Sequence, residues 1–202
     1  MHEFRSGAPW VELRVKEWDD ESSRSADGFK GRDYVHSSDA GARVTQYFLC
    51  FEPRDGTYPR IRLHGTVRMG PAAESHRGLC HGGSMTALMD DVVGWTGFCA
   101  TGVCIPWSGF TAQINCKLCA PIEVGAELII EGEIDRREGR KCFIVARLVS
   151  DTADEVVHAT CEGLFIMSKE VAAAAAAADV GGDGAAAAAK RKPTSMGGAD
   201  RS

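Results

Sequence analysis

No stretch of this 202-residue chain approaches the ~18 consecutive apolar residues that a membrane-spanning helix needs. Met1–Trp10 lacks the apolar centre of a secretory signal. The acids Glu3, Glu12, Glu17, Asp19, Asp20 and Glu21 are out of keeping with a mitochondrial presequence. The expectation is a chain without membrane contact, cytoplasmic by default, with a mitochondrial location as the alternative. An excess of basic charge is also missing. With 23 Lys+Arg against 28 Asp+Glu the formal charge is −5, and the pI is ≈ 5.7. Such a chain has no bulk attraction for nucleic acid or an anionic bilayer. Metal-ligand spacing is absent as well. Cys116 and Cys119 form a lone CxxC with no second ligand pair and no helix start behind it. Its segment reads as a strand, where positions three apart face opposite sides. No metal is expected. Eight cysteines in a chain without a signal point to free thiols in a reducing compartment.

What is present divides into three parts. Residues 1–40 are polar, and Ser22, Ser23, Ser25, Gly28 and Gly31 mark a flexible arm, with a short amphipathic helix over Trp10–Trp18 as its one candidate element. Residues 41–168 carry the periodic patterns of a folded domain. Thr45–Phe51 is aromatic and β-branched, Pro53-Arg54-Asp55-Gly56 reads as a turn, and Arg60–Arg68 alternates, so the pair predicts a hairpin. His64 falls on the polar face of its strand. Over residues 82–99 the period changes: Met85, Leu88, Met89, Val92, Val93 and Cys99 share one helical stripe. Strand patterns follow at Thr111–Cys119, Glu127–Ile134, Arg140–Val149 and Val156–Met167, with Asp135–Gly139 read as a turn. Two strands, one long helix and a run of antiparallel strands define an α+β layout. Residues 169–202 are runs of alanine split by glycines, with no apolar face to dock, and read as a disordered tail. Lys190-Arg191-Lys192 within it is a minimal basic cluster, taken as solvated.

The informative stretch is Cys80-His81-Gly82-Gly83-Ser84, which opens the long helix. A helix N-terminus presents unpaired N–H groups and partial positive charge. Glycine lets a ligand approach that backbone closely. This arrangement suits a carbonyl oxygen that becomes negative during acyl transfer, with His81 bonding the same oxygen or holding the turn. Asp90 lies nine residues after His81, about 13 Å along the axis and roughly on the opposite side of the helix. If Gly82 and Asp90 serve one reaction, a second copy of the chain must supply one of them. Asp91 flanks the same apolar stripe, and periodicity does not choose between the two acids.

His81-Gly82-Gly83 followed by Asp90, then Thr111-Ala112-Gln113-Ile114-Asn115, Cys119-Ala120-Pro121-Ile122-Glu123-Val124-Gly125 and Glu138-Gly139-Arg140-Lys141, resembles the hotdog-fold acyl-CoA thioesterases. Within that family the resemblance is to the phenylacetate-degradation type and the animal thioesterase superfamily members, and it covers about Thr45–Met167. It implies a curved antiparallel sheet wrapped around one long central helix, assembled as a homodimer or a dimer of dimers. Carried over by position, Gly82 would offer its N–H to the thioester oxygen with His81 assisting. Asp90 of the other copy would act as general base on water, or as nucleophile, and Thr111 would orient the water. Gly83 would line the substrate site. By charge alone, Arg136, Arg137, Arg140 and Lys141 suit the CoA phosphates, with Arg140 and Lys141 the binding candidates, and a solvated hairpin tip explains all four equally well. The family spacing, not the periodicity, selects Asp90 over Asp91. Two departures stand out: Ser75 occupies a position where some relatives carry Asn, and the segment between Asp90 and Thr111 is long.

The function these residues imply is hydrolysis of acyl-CoA to free acid and CoA, without metal or organic cofactor. The alternative from another class is a catalytically weak acyl-CoA-binding or partner-binding scaffold that keeps the dimer.

Overall fold

A computed structural model of the chain describes residues 10–14, 21–52 and 60–180. The alternating segments become one antiparallel sheet. Its strands are β1 (Trp10–Glu12), β2 (Ala42–Glu52), β3 (Arg60–Met69), β6 (Gly109–Leu118), β7 (Glu127–Glu138), β8 (Lys141–Ser150) and β9 (Val157–Met167), in the order β1-β2-β3-β7-β8-β9-β6. A small hairpin, β4 (Glu74–His76) and β5 (Leu79–Cys80), precedes the long helix α2 (Gly82–Phe98). Two further helices are α1 (Glu21–Ala26) and α3 (Lys169–Val180). No described helix is long and apolar enough to cross a membrane.

The period-2 pattern decides which face of the sheet is dry. Ile61, Leu63 and Val67 of β3, Leu128, Ile130 and Ile134 of β7, and Cys142, Ile144 and Leu148 of β8 are all buried. They form one cluster with Met85, Leu88, Met89, Val92 and Val93 of α2. The helical stripe expected from the sequence is therefore the face laid on the sheet. The other sheet face is polar and cross-linked by ion pairs such as Arg60–Glu133, whose two N–O contacts are 2.6 and 2.7 Å.

The far side of α2 is also covered. Trp95 and Phe98 are buried. They meet Trp107 at 6.2 and 5.6 Å between ring centroids, and Trp107 in turn meets Phe29 at 5.7 Å. The long segment after the helix thus folds back over it. Trp107 adopts φ 63, a conformation costly for a bulky side chain, and its three ring contacts hold it there.

Three local expectations change. Asp135–Gly139 is not a five-residue turn: β7 runs on to Glu138, which pairs with Lys141, leaving a two-residue loop that opens with Gly139 at φ 57. The charged residues misled because this hairpin end extends past the core, where both faces are wet and the ladder alone holds the strands. Trp10–Glu12 pairs with β2 as a strand, not a helix, and the rest of that candidate helix is incomplete because residues 15–20 lie outside the described residues. The sheet edge decided this by offering Trp10 and Val11 ladder partners. Within the stretch read as a disordered tail, residues 169–180 form a helix, which alanine favours and which Val171 and Ala172 tie to the core. The turn at Pro53–Gly56 and the basic cluster Lys190–Lys192 lie outside the described residues.

The helix sits so close to the sheet that one position admits only glycine. A Cβ on Gly97 would stand 2.3 Å from the Phe165 ring. Alanine is the better helix former by about 1 kcal/mol, but forcing extra volume into a packed core costs about 1–3 kcal/mol. Gly97→Ala is therefore expected to lower stability by roughly 1–2 kcal/mol in urea denaturation. A stability gain would mean the helix can lift off the sheet freely.

Candidate functional site

The start of α2 is held from three directions. His81 N–H donates to Ala73 O at 2.7 Å, Cys80 N–H to Ile122 O at 2.9 Å, and Val124 N–H to Gly78 O at 2.9 Å. The Ala120–Gly125 loop thus clamps the turn before the helix, which gives the Pro/Gly motif a structural purpose. His81 is the N-cap, and its Nδ1 accepts from Gly83 N–H at 2.7 Å. Neutral imidazole carries one proton, so an accepting Nδ1 leaves Nε2 as a donor on an exposed ring. Ser84 N–H donates to His81 O at 3.0 Å. Gly83 and Ser84 have thus spent their donors inside the turn, while the Gly82 N–H has no partner among the described residues. A Cβ on Gly82 would lie 2.6 Å from Leu118 Cδ1, so this N-terminus abuts the end of β6.

Asp90 and Thr111 form a second group, further along the same flank. Asp90 is exposed. Thr111 Oγ1 lies 3.8 Å from where a Cβ of Gly94 would stand, and Gly94 is one helical turn beyond Asp90. The negative charge of Asp90 also reaches Cys161 on β9. Gly82, Thr86, Asp90 and Gly94 recur every fourth residue, so they run as one stripe beside β6. Counted from Gly82, the residue whose N–H is open, Asp90 is eight steps away, less than a quarter turn around the axis and not on the far side. The axial gap of about 12 Å remains, so within one copy the two groups do not meet at one atom.

Asp91 is a different case. Its carboxylate is largely enclosed, with the side chain 17% exposed, and it accepts from Tyr47 Oη–H at 2.8 Å. His36 Nε2 stands 3.1 and 3.2 Å from its two oxygens. Burial first, and the charge of Asp91 next, hold the Tyr47 hydroxyl well above the usual tyrosine range, so it remains a donor. A hydrogen bond to a charged acceptor of this kind contributes about 1.5–3 kcal/mol. Geometry separates the two acids that periodicity leaves equivalent: Asp91 is bonded inward and Asp90 is exposed.

Arg140 and Lys141 do not join either group in a single copy. They sit at the β7–β8 turn, near the C-terminal end of α2, where Arg137 Nη1 reaches Ala100 O at 3.4 Å. Arg140 Nε donates to Met167 O at 2.8 Å and so helps hold the sheet. A cavity of about 710 Å³ lies on the polar sheet face, between Trp10, Glu131, Arg147 and Lys117. None of His81, Gly82, Asp90 or Thr111 lines it, and its acids and arginines largely answer one another, so the open flank of α2 is the better candidate.

Sequence reading missed two features. Cys116 pairs in register with Cys161, with sulfurs 3.3 Å apart, and not with Cys119 as a functional CxxC. His36, in the stretch read as a flexible arm, is buried at 5% exposure against the helix. Neither carries a local sequence signal, because both depend on partners 45 and 55 residues away.

The family model of the thioesterase superfamily matches residues 77–157, the stretch from the His81 turn through β8, so the resemblance drawn from the motifs is borne out. Acyl-coenzyme A thioesterase THEM4 of Bos taurus is 29% identical over 97 residues, which are 48% of this chain and 37% of that protein. Its namesake in Xenopus laevis is 30% identical over 97 residues, 48% and 41% of the two chains. The chain thus spans about two fifths of the length of these curated relatives. The crystal structure of the thioesterase candidate yhdA from Lactococcus lactis superposes with a TM-score of 0.50 at 12% identity, over 61% of this chain and 91% of that one. At that identity the likeness concerns the fold alone.

Burial raises the thiol pKa of Cys161, with the neighbouring Cys116 adding to the effect, whereas Cys119 is exposed. The thiolate is the reactive form. Alkylation at pH 8 with peptide mapping is expected to label Cys119 well before Cys161. Equal rates would show the β6–β9 seam to be open.

Proposed function

We propose that this chain hydrolyses acyl-CoA thioesters to free acid and CoA. The observation that carries the proposal is the stripe from Gly82 to Gly94: an N–H donor without a partner among the described residues at one end, and the exposed Asp90 near Thr111 at the other. The superfamily match over the same stretch supports it, as do relatives named acyl-CoA thioesterases.

In this reading the thioester oxygen sits at the Gly82 N–H, with His81 Nε2–H as a second donor. Asp90 takes a proton from a water held by Thr111, and the water oxygen attacks the acyl carbon. The tetrahedral oxyanion is stabilised at the helix N-terminus, and collapse breaks the C–S bond. The CoA sulfur leaves with the proton. These steps ask for no metal or organic cofactor. Gly83 contributes shape and the cap, because its donor is already used.

The 12 Å axial gap requires the base to come from a second copy. β6 is the terminal strand of the sheet, and Phe110 and Leu118 on it are 60% and 48% exposed. An uncovered edge of ten residues invites pairing with another strand. Two chains joined along β6, each sheet curved around its own helix in the hotdog manner, would set the stripe of one against the stripe of the other. Arg140 and Lys141 are then candidates for the CoA phosphates from across that interface. A dimer of dimers is compatible with the polar outer face.

Release of free CoA thiol from short, medium, long and aromatic acyl-CoAs tests the reading. Asp90→Asn is expected to lower kcat by about 10²–10⁴-fold with the fold intact, since that is what a general base contributes. Sedimentation should report at least two copies. Unaltered turnover in Asp90→Asn would remove Asp90 from the chemistry, and a wild type that binds CoA esters without turnover would favour a binding module.

A further inference from the structure

His36, Asp91 and Tyr47 come from three separate parts of the chain and meet in the core, on the side of α2 away from β6. His36 is carried by the stretch before β2, outside the family match. It is well held. Asp33 Oδ1 accepts from Val35 N–H at 3.1 Å and His36 N–H at 3.0 Å, and Val44 N–H donates to Val35 O at 2.9 Å. Arg24 stands 3.3 Å from the other Asp33 oxygen. The His36 ring lies edge-on to Tyr47 at 5.9 Å and to Trp95 at 6.3 Å. The His36 side chain is 2% exposed, and Tyr47 is fully buried.

We propose that this cluster is a positioning device for Asp90, fixing the rotation of α2 about its axis so that Asp90 faces the β6 flank. The proposal rests on the reading of Asp90 as the base.

Neighbouring residues on a helix point about 100° apart, so whatever holds Asp91 sets the direction of Asp90. A rotation of about 20° would carry a side-chain tip about 5 Å from the axis through nearly 2 Å. Misplacement by about 1 Å can cost 10²-fold in rate. Apolar packing of Leu88 and Val92 on the sheet tolerates small rotations, whereas hydrogen bonds are directional. On the β6 flank the stripe is Gly82, Thr86, Asp90 and Gly94, and its close approaches, such as Leu118 on Gly82, are van der Waals contacts without direction. A directional restraint comes from the neighbouring face, where the carboxylate of Asp91 is bonded by two elements at once. Its cost argues the same way. A buried carboxylate is expensive to desolvate, and an apolar residue would fill the space more cheaply.

The test uses the full chain and the variants Tyr47→Phe, His36→Gln and Asp91→Asn. With acyl-CoA substrates, Tyr47→Phe and His36→Gln are expected to lower kcat about tenfold, with KM within twofold of wild type and the oligomer unchanged. In the residual turnover of an Asp90→Asn background the same changes should have no further effect, because they act through Asp90. A lower Tm with kcat per folded molecule unchanged would reduce the cluster to a structural strut and overturn the proposal. So would a tenfold loss that persists without Asp90. If Asp91→Asn fails to fold, Tyr47→Phe, which removes one oxygen, carries the test. Should wild type turn over no ester, the hydrolase reading fails on its own, and the restraint is still read by hydrogen exchange. Faster exchange across Met89–Gly97 in Tyr47→Phe supports it, and unchanged exchange overturns it.

Discussion

The constraint on which the structure depends is the burial of one long helix that is apolar on most of its circumference. Met85, Leu88, Met89, Val92 and Val93 take the sheet face, and Trp95 and Phe98 need cover on the far side. One sheet cannot provide both. The segment after the helix therefore returns with Trp107, and the stretch before β2 brings Val35 and His36. What looks like excess chain around a compact domain is the lid that such a helix requires.

Among the described residues the flank beside β6 is the least covered, and it is built from small or polar residues. Leu118 presses on Gly82 and Thr111 approaches Gly94, so β6 runs close beside the helix where the helix itself presents no bulk. Openness, an unpaired backbone donor and a solvent-facing carboxylate occur on the same strip because the same absence of bulk permits all three. The adjoining acid, Asp91, pays for its burial with Tyr47 and His36. Adjacent carboxylates on one helix thus acquire opposite fates from a rotation of about 100°.

Much of the fold was legible because it rests on local periodicity. The strands, the helix start at Gly82 and the inward stripe follow from periods of 2 and 3.6. The His81-Gly82-Gly83 turn was legible too, since capping and glycine geometry are local. Legibility ended where long-range partners decide. Charge made Asp135–Glu138 look like a loop, although ladder bonds to β8 extend the strand. Polarity made the stretch around His36 look loose, although a carboxylate 55 residues away claims it. Periodicity does not distinguish Asp90 from Asp91; the family spacing does, and the physical difference appears only when Tyr47 is brought beside the second of them.

The same reasoning bears on why a site of this kind would be shared between copies. Gly82 and Asp90 lie on one side of one helix, but about 12 Å of axis separates them, and no side chain of aspartate length closes that distance. Folding the helix to bring them together would destroy the N-terminus that makes Gly82 useful. In the proposed dimer, a second helix passing in the opposite sense would place its Asp90 against the first Gly82 without distorting either. The edge strand that would join the copies already borders the stripe. Covering the exposed ladder of β6 and completing the site are then one event, so a chain that failed to pair would lose chemistry together with the protection of its edge.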